Sequence, residues 1–356
     1  MASERVLASV RRITDVVLIE GADAIECAVV GGWKVVVQKG ECKKEDLAIF
    51  CEIDAFIPHV LAPFLSKGKP PHEFNGVLGE RLRTIKLRGQ LSQGLLLPLH
   101  VLAEPQEEGA DVTAVLNIQK YETYEEVGGA HQRRHGSSSS TFPSYIQKTD
   151  QERIQNLTGP KHLGKWKDDR DFQWEVSEKL DGSSMTVYCK DGRVGVCSRN
   201  HDLPYDPENQ FWRTAISQGL ITNVSEEPLV WAIVGGQKYT NFALQGELIG
   251  PKIQKNIYKR PECQFYLFDI YDIGESAYWL PHRRQTFVVD YRVQHVPILL
   301  FNWVLNETVD NLLFDAQGKS QLNGVTEREG LVYKSTTRPG LSFKAISNTF
   351  LLKHQD

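Results

Sequence analysis

The sequence predicts an α+β protein of two domains, in which a small β-barrel precedes a domain of strands and short helices. The chain has 356 residues, of which 41% are hydrophobic, enough for packed cores in two or three domains. From about Val6 to Leu99 it consists of short apolar runs with few helical patterns, which is typical of a barrel. From Trp174 onwards strands alternate with short helical patterns, which is typical of an α+β domain.

The clearest element of the first domain is a hairpin around Gly31-Gly32. Apolar residues alternate with other residues on both sides of this pair: Ile25, Cys27 and Val29 before it, and Trp33, Val35 and Val37 after it. Residues 46–58 and 94–99 supply further strands. Several short strands of this kind favour a barrel of the oligonucleotide-binding (OB) type, and we predict an OB-fold nucleic-acid-binding domain over residues 1–118.

A basic run, RLRTIKLR, lies within this domain. Its cations are Arg81, Arg83, Lys86 and Arg88. The two pairs have opposite parity along a strand, so they share one face only if a bulge falls near Thr84 and Ile85. The run is equally compatible with a stripe that faces nucleic acid and with a solvated edge strand, and we take its four cations as candidate nucleic-acid contacts.

Residues 119–144 are predicted to form a flexible linker. They contain Gly128-Gly129, the basic run HQRRH and four serines from Ser137 to Ser140, a composition that buries little apolar surface. The second domain is predicted over residues 145–356, and Thr149 or Asp150 is a candidate cap for a helix that follows.

Composition excludes several classes of protein. The first residues lack the apolar core of a signal peptide, and no apolar run is long enough to cross a bilayer. The six cysteines form no C-x-x-C pair, so we expect free thiols rather than zinc ligands or disulfides. The net charge of -4 argues against a protein that coats nucleic acid, although it permits a local basic groove. We expect an intracellular monomer, cytoplasmic or nuclear, with no membrane partner.

The stretch EKLDGSS, Glu178 to Ser184, is the strongest candidate for chemistry. A lysine amine is protonated near neutrality, so Lys179 becomes a nucleophile only where a cationic or dry environment lowers its pKa. Asp181 could orient the amine or a metal-bound water, and Gly182 would let the backbone approach a phosphate. The same letters also fit a strand end followed by a tight turn with an exposed lysine.

A second hairpin is predicted directly after this stretch. Strands from Ser184 to Cys189 and from Val194 to Ser198 are joined through Asp191-Gly192, a favoured two-residue turn. The register set by this turn places Arg199 opposite Ser184. A guanidinium at that end of the sheet is suited to a phosphate.

Four further runs complete the pattern. They are GELIGPKIQKNIY (Gly246 to Tyr258), FYLFDI (Phe265 to Ile270), EGLVYKS (Glu329 to Ser335) and LSFKAISN (Leu341 to Asn348). In this order after K-x-D-G, the runs resemble the covalent nucleotidyltransferases, and within them the RNA ligases. The OB-like domain in first position is similar to the fifth RNA ligase family, the Deinococcus and Naegleria type. DNA ligases usually carry arginine where this chain has Ser184.

The resemblance implies a nucleotidyltransferase domain with ATP-grasp-like antiparallel sheets, which uses ATP and Mg²⁺ or Mn²⁺. It implies three sets of site residues. The catalytic set is Lys179, Asp181, Arg199, Glu247, Glu329 and Lys344. The cofactor-binding set is Glu178, Lys179, Arg199, Glu247, Phe268, Lys334 and Lys344. The metal-binding set, acting mostly through water, is Asp181, Glu247 and Glu329.

Individual roles follow from the same resemblance. Lys179 would take AMP from ATP as a lysyl phosphoramidate, while Glu178 reads the adenine and Phe268 stacks on it. Glu247 would hold the ribose, and Arg199 and Lys344 the phosphates. These cations, together with Mg²⁺, would also depress the pKa of Lys179.

The chain departs from the phage class of RNA ligases at Ile346, where that class has a second lysine. Either Lys344 suffices, or Lys334 or Arg338 supplies the charge. We predict an ATP-dependent RNA ligase, an RNA repair enzyme that joins 3′-hydroxyl and 5′-phosphate ends at nicks in duplexes. The alternatives are a nucleic-acid-binding protein with a relic transferase domain, and a DNA ligase or capping-type guanylyltransferase.

Overall fold

The structure is a computed structural model that describes residues 5–121, 140–222 and 240–354, together with the backbone of Val230–Trp231. The chain forms two compact units. The first comprises Met1–Glu122, Ile154–Gly164 and Asn348–Asp356, and the second Thr123–Arg153 and Lys165–Ser347. Most of the predicted linker, residues 119–144, lies outside the described residues, so its boundaries stay predictions.

The first unit is built from short antiparallel strands. In chain order they are β1 (Ala8–Arg12), β2 (Asp15–Leu18), β3 (Ile25–Val30), β4 (Trp33–Gln38), β5 (Leu47–Cys51), β6 (Ala55–Pro58), β7 (His72–Phe74), β8 (Val77–Arg81), β9 (Thr84–Leu87), β10 (Gln90–Gln93), β11 (Leu95–Leu97) and β12 (Gln119–Lys120). They pair in the orders β1-β5-β11, β2-β3-β4, β9-β10 and β12-β6-β8-β7. Single turns of 3₁₀ helix cover Pro63–Ser66 and Leu99–Val101.

The hairpin predicted around Gly31-Gly32 is confirmed. Val30 pairs with Trp33, and Gly31 has a φ of +58°, a conformation that glycine adopts without strain. Trp33 and Val35 are buried, as their alternation predicts. Gly32 is required for a different reason, since a Cβ there would lie 2.7 Å from the Cα of Gln155.

The basic run RLRTIKLR does not form one bulged strand, so the condition under which its four cations would share a face is not met. Arg81 ends β8, whereas β9 begins at Thr84 and belongs to a different sheet. Arg81 donates to Asp54 at 2.8 Å and its guanidinium lies 5.0 Å from the centre of the Tyr121 ring. Arg83, Lys86 and Arg88 are exposed. Arg81 is therefore engaged in internal contacts, and a nucleic-acid role for the other three cations stays a prediction.

The second unit contains the remaining strands and most of the helices. The strands are β13 (Ser140–Thr141), β14 (Glu152–Arg153), β15 (Gln173–Lys179), β16 (Ser183–Lys190), β17 (Arg193–Cys197), β18 (His201–Leu203), β19 (Ile221–Thr222), β20 (Val230–Trp231), β21 (Phe242–Ile249), β22 (Gln264–Asp272), β23 (Ala277–Tyr278), β24 (Ile298–Val304), β25 (Gly330–Ser335) and β26 (Ser342–Ile346). The helices of the described residues are α1 (Leu163–Trp166), α2 (Gln210–Ser217), α3 (Pro281–Tyr291), α4 (Val309–Asp315) and α5 (Asn348–His354), of which α1 is divided between the two units and α5 belongs to the first. None of these helices is long and apolar enough to span a membrane.

Two large sheets dominate the second unit. One has the order β13-β18-β17-β16-β21-β22-β23, and the other has the order β14-β26-β25-β15-β24. Apolar residues of the first sheet, among them Met185, Leu244 and Leu267, form a core with Trp212 of α2 and Phe287 of α3. The sheets hold the ends of their strands in fixed register, which positions the candidate site.

The hairpin predicted at Asp191-Gly192 is confirmed, and its register is correct from Lys190↔Arg193 to Thr186↔Cys197. Both turn residues have positive φ, 51° and 80°, as a hairpin turn of this type requires. The expected pairing of Arg199 with Ser184 is wrong. The amide of Ser198 bonds to the carbonyl of His201, so Arg199 and Asn200 form a turn instead of continuing the strand. Ser184 pairs instead with Glu247 on β21.

The helix expected after Thr149 or Asp150 is also absent from the described residues. Residues Glu152–Arg153 form β14, which pairs in parallel with Phe343 and Lys344 of β26. A turn of 3₁₀ helix at Ile154–Asn156 follows within the first unit. There the side chain of Asn156 accepts from Trp33 at 2.7 Å and donates to Glu52 at 2.6 Å. The pairing of β14 with β26 and the hydrogen bonds of Asn156 therefore determine the local structure, and the helix cap predicted at Thr149 or Asp150 does not.

Candidate active site

Lys179 is the last residue of β15 and meets an acid from the neighbouring strand. It pairs with Gly330, so Glu329 comes directly before β25 at the same level of the sheet. The Lys179 Nζ atom donates to Glu329 Oε2 at 2.6 Å, and the two side chains are 26% and 16% exposed. The register of two adjacent strands therefore positions the candidate nucleophile and its acidic partner.

Two further carboxylates act on Lys179. Burial lowers its pKa, but the negative charges of Glu329, Glu247 and Asp181 outweigh burial and leave the pKa raised. The expectation that neighbouring cations lower this pKa is not met by the protein's own residues, because the groups closest to the amine are acids. Burial raises the pKa of Glu247 to about 8, Glu329 and Asp181 add to the rise, and Lys179 and Arg199 oppose it.

This excess of acid fits a bound cation. Among the described residues, however, no three His, Cys, Asp or Glu side chains are placed to bind a metal ion directly. Metal binding through water molecules does not require the side chains to lie so close together, and this is the mode predicted for Asp181, Glu247 and Glu329. Divalent cations with oxygen ligands commonly keep several waters.

The turn after Lys179 is fixed by close contact with other backbone. A Cβ on Gly182 would meet the carbonyl oxygen of Leu248 in β21. The close approach of β21 therefore explains why residue 182 is glycine. A contact between this backbone and a phosphate is not needed to explain it. The backbone N–H of Asp181 donates to the hydroxyl of Tyr258 at 2.8 Å, which fixes the turn from the other side.

Glu178 directly precedes Lys179 in β15, so its side chain lies on the opposite face of the strand, where it is buried. Its Oε2 atom accepts from the backbone N–H of Gln321 at 2.8 Å. Burial raises its pKa, against the hydrogen bonds from Ser320 and Gln321. Its Oε1 atom has no hydrogen-bond partner among the described residues. A buried acceptor of this kind fits a donor on a ligand, such as the amino group of adenine.

Phe268 lies at an irregularity of the sheet. Gln245 pairs with Asp269 and the next residue, Gly246, pairs with Leu267, so Phe268 is the extra residue of a β-bulge in β22. Bulges re-aim a side chain and are frequent beside active sites. The ring packs against an apolar cluster that includes Leu180 and Ile249, and it remains partly exposed, as a stacking face requires.

Lys334 belongs to a buried network behind Phe268. Its Nζ atom bonds to Asp269 at 2.6 Å and to the carbonyl oxygen of Phe268 at 2.6 Å, and it lies 5.0 Å from the centre of the Phe268 ring. Burial lowers the pKa of Lys334 to about 8, although Asp269 opposes this. Arg284 of α3, fully buried, pairs with both Asp269 and Glu175. These contacts indicate that Lys334 stabilises the position of Phe268.

The two predicted phosphate ligands, Lys344 and Arg199, come from different sheets of the second unit. Lys344 is half-buried in β26, opposite Arg153 and Val332. Arg199 is partly exposed and donates to Asp150 at 2.8 Å.

The replacement candidates for the missing lysine have other contacts. Ile346, at the position where the phage class has its second lysine, is buried opposite Gly330. Arg338 lies 4.2 Å from the centre of the Phe172 ring.

Comparisons with known proteins bear directly on this arrangement. A family model of RNA ligases matches residues 172–346, and an OB-fold domain model matches residues 7–99. A solved apo structure of a Naegleria gruberi RNA ligase mutant is 42% identical with a TM-score of 0.85, and the match covers 99% of each chain. The chain belongs to the RNA ligase family.

Two more structures of the same Naegleria protein carry ligands. One was solved with PPi and one, a mutant, with ATP and Mn; each is 42% identical with a TM-score of 0.84 and covers 99% of this chain and 100% of that one. No curated protein matches the chain. The predicted RNA ligase identity and the predicted OB-fold before a transferase domain are confirmed.

Sequence reasoning missed several residues that shape this RNA ligase's site. Tyr258 and Asp269 lie inside the motif runs, yet the letters alone did not separate them from packing residues. Arg284 and Glu175 carried no signal, because their partnership joins positions far apart in sequence.

Proposed function

We propose that this RNA ligase uses ATP to join a 3′-hydroxyl to a 5′-phosphate at nicks in RNA-containing duplexes, with Lys179 as the carrier of AMP. The observation that supports it most is the 2.6 Å contact between Lys179 Nζ and Glu329 Oε2, with Glu247 and Asp181 close enough to act on the same amine. A relative 42% identical over 99% of this chain was solved with ATP and Mn, which supports the same ligands here.

The first step requires Lys179 to lose a proton. Its pKa is raised in the free site, and Glu329 Oε2 lies where it can hold the proton that leaves Nζ. Mg²⁺ or Mn²⁺, when bound, supplies positive charge that offsets the carboxylates and stabilises charge on the phosphate oxygens. The amine of Lys179 then attacks the α-phosphate, so that a P–N bond forms while the bond to pyrophosphate breaks.

The later steps return Lys179 to its starting state. The 5′-phosphate of the RNA displaces Nζ and takes the AMP, and the 3′-hydroxyl then displaces AMP to form the phosphodiester. In this proposal Phe268 holds the adenine by stacking, and Lys344 and Arg199 bind the phosphates. The ligase acts as a monomer inside the cell, in the cytoplasm or the nucleus, as part of the same proposal.

Nicked duplexes that differ only in the 3′-terminal sugar test this function. The proposal expects sealing of a nick whose 3′ end is ribose and a large loss with deoxyribose, because the 2′-hydroxyl lets a protein distinguish RNA from DNA. Lys179→Ala is the inactive control. Equal sealing of both nicks would contradict the RNA requirement, and RNA binding without AMP transfer would support a relic transferase domain.

A further inference from the structure

The segment between β21 and β22 concentrates positive charge in an otherwise acidic chain. Residues 250–261, GPKIQKNIYKRP, hold three lysines and an arginine and no acid, whereas the whole chain has a net charge of -4. We call residues 250–261 the basic loop. Lys252, Lys255 and Lys259 are all exposed. A local cluster of cations is the electrostatic footprint of phosphate binding.

The backbone of the basic loop is strained in a repeated way. Lys252, Gln254, Asn256 and Lys259 have φ values of 64°, 44°, 44° and 53°. A residue other than glycine, asparagine or aspartate in this left-handed region costs about 1 kcal/mol or more, and such residues persist only where the surroundings determine them. Strain of this kind is concentrated at functional sites.

The surroundings do hold the basic loop rigidly. Ile253 and Tyr258 are buried. The side chain of Asn256 donates to the carbonyl of Arg260 and accepts from its amide, each at 3.0 Å. Thr326 donates to the carbonyl of Ile257 at 2.8 Å. The apolar residues thus point inwards, and the lysines between them stay exposed on a fixed frame.

The basic loop lies against the turn that follows Lys179. The hydroxyl of Tyr258 accepts from the amide of Asp181 at 2.8 Å, and Gln254 Nε2 lies 3.4 Å from the carbonyl of Gly182. The loop also begins directly after β21, the strand that carries Glu247. The loop that carries these cations therefore contacts the turn that follows the candidate nucleophile, Lys179.

We propose that Lys252 and Lys259 bind the sugar–phosphate backbone of the RNA next to the end that is being joined. The proposal rests on the proposed RNA ligase function and names a contact surface for its substrate. Neither lysine has an ion-pair partner among residues 5–121, 140–222 and 240–354. Phosphates meet lysines as point charges, so the contact holds RNA without reading its sequence.

The double variant Lys252→Gln, Lys259→Gln tests this surface, and Lys167→Gln is the matched control. Lys167 is an exposed lysine of the same unit. Binding of a fluorescent nicked RNA duplex is measured by anisotropy over a range of salt concentrations. The double variant should bind about tenfold more weakly at about 0.1 M salt, and the slope of log affinity against log salt should fall by about two, one for each phosphate that a lysine no longer neutralises. Lys252→Arg, Lys259→Arg should restore both.

Three results would overturn the proposal. The first is a salt slope equal to that of Lys167→Gln. The second is a parallel loss of protein labelling by ATP without RNA, which would assign the lysines to the triphosphate or to folding. The third is a failure of the arginine variant to restore binding. If the parent protein binds RNA with the expected slope but never joins it, the RNA ligase function fails while this contact surface stands.

Discussion

His295 is held in a neutral form by its two neighbours, and this makes stability depend on pH. Its Nδ1–H donates to the carbonyl of Val296 at 2.6 Å, and its Nε2 atom accepts from Arg284 Nε at 3.0 Å. A protonated ring would carry a hydrogen on Nε2, facing the guanidinium. Burial, and then the charge of Arg284, lower the pKa of His295 well below its usual 6.5.

The sign and size of the effect follow from linkage. Below pH 6.5 the unfolded chain takes up a proton at this histidine and the folded chain does not, so the free energy of unfolding falls as pH falls. Between pH 7.5 and 5.5 the loss is about 1.4 kcal/mol for this one group. His295→Gln keeps an oxygen that can accept from Arg284 and removes the titration.

The assay is urea unfolding of the protein and of His295→Gln at pH 7.5, 6.5 and 5.5. All other groups are common to both, so their pH dependence cancels in the difference. The stability of the parent relative to the variant should fall by about 1.4 kcal/mol from pH 7.5 to 5.5. A constant difference, or one that rises on acidification, would mean that folded His295 accepts a proton and that the assigned hydrogen bonds are wrong.

Two other substitutions probe the site and its support. Phe268→Ala should weaken the use of ATP in protein labelling by about 1 to 3 kcal/mol through loss of a stacking face, and Phe268→Leu should be milder; equal losses would count against stacking. Arg284→Met should lower the free energy of unfolding by about 3 to 5 kcal/mol, because Glu175 and Asp269 lose a buried cation. Denaturant titration measures this loss, and a change under about 1 kcal/mol would show that the network is not charged as described.

Local chemistry made part of the fold predictable from sequence. The turns at Gly31-Gly32 and Asp191-Gly192 need positive φ, which their residues allow, and both hairpins form with the expected register next to the turn. The contact between Lys179 and Glu329 is not given by either run alone, because it depends on the pairing of β15 with β25.

Other features depend on partners that are distant in sequence. Thr149 offers a helix cap, but the next residues pair with β26, almost two hundred residues away. Gly182 resembles a phosphate-binding glycine, yet its neighbour is the carbonyl of Leu248. The rise in the pKa of Lys179 follows from three acids brought together from separate strands and a turn. The periodicity of the sequence does not predict contacts between residues that are this far apart in the chain.

Formation of the covalent intermediate can be measured without RNA, and it decides whether Lys179 is the nucleophile. The protein is incubated with Mg²⁺ or Mn²⁺ and ATP labelled at the α-phosphate, and the labelled residue is located by mass spectrometry. We predict one AMP on Lys179 in a bond that survives denaturation, and no label on Lys179→Ala. Label on another residue, or equal labelling of the variant, would contradict the proposed chemistry.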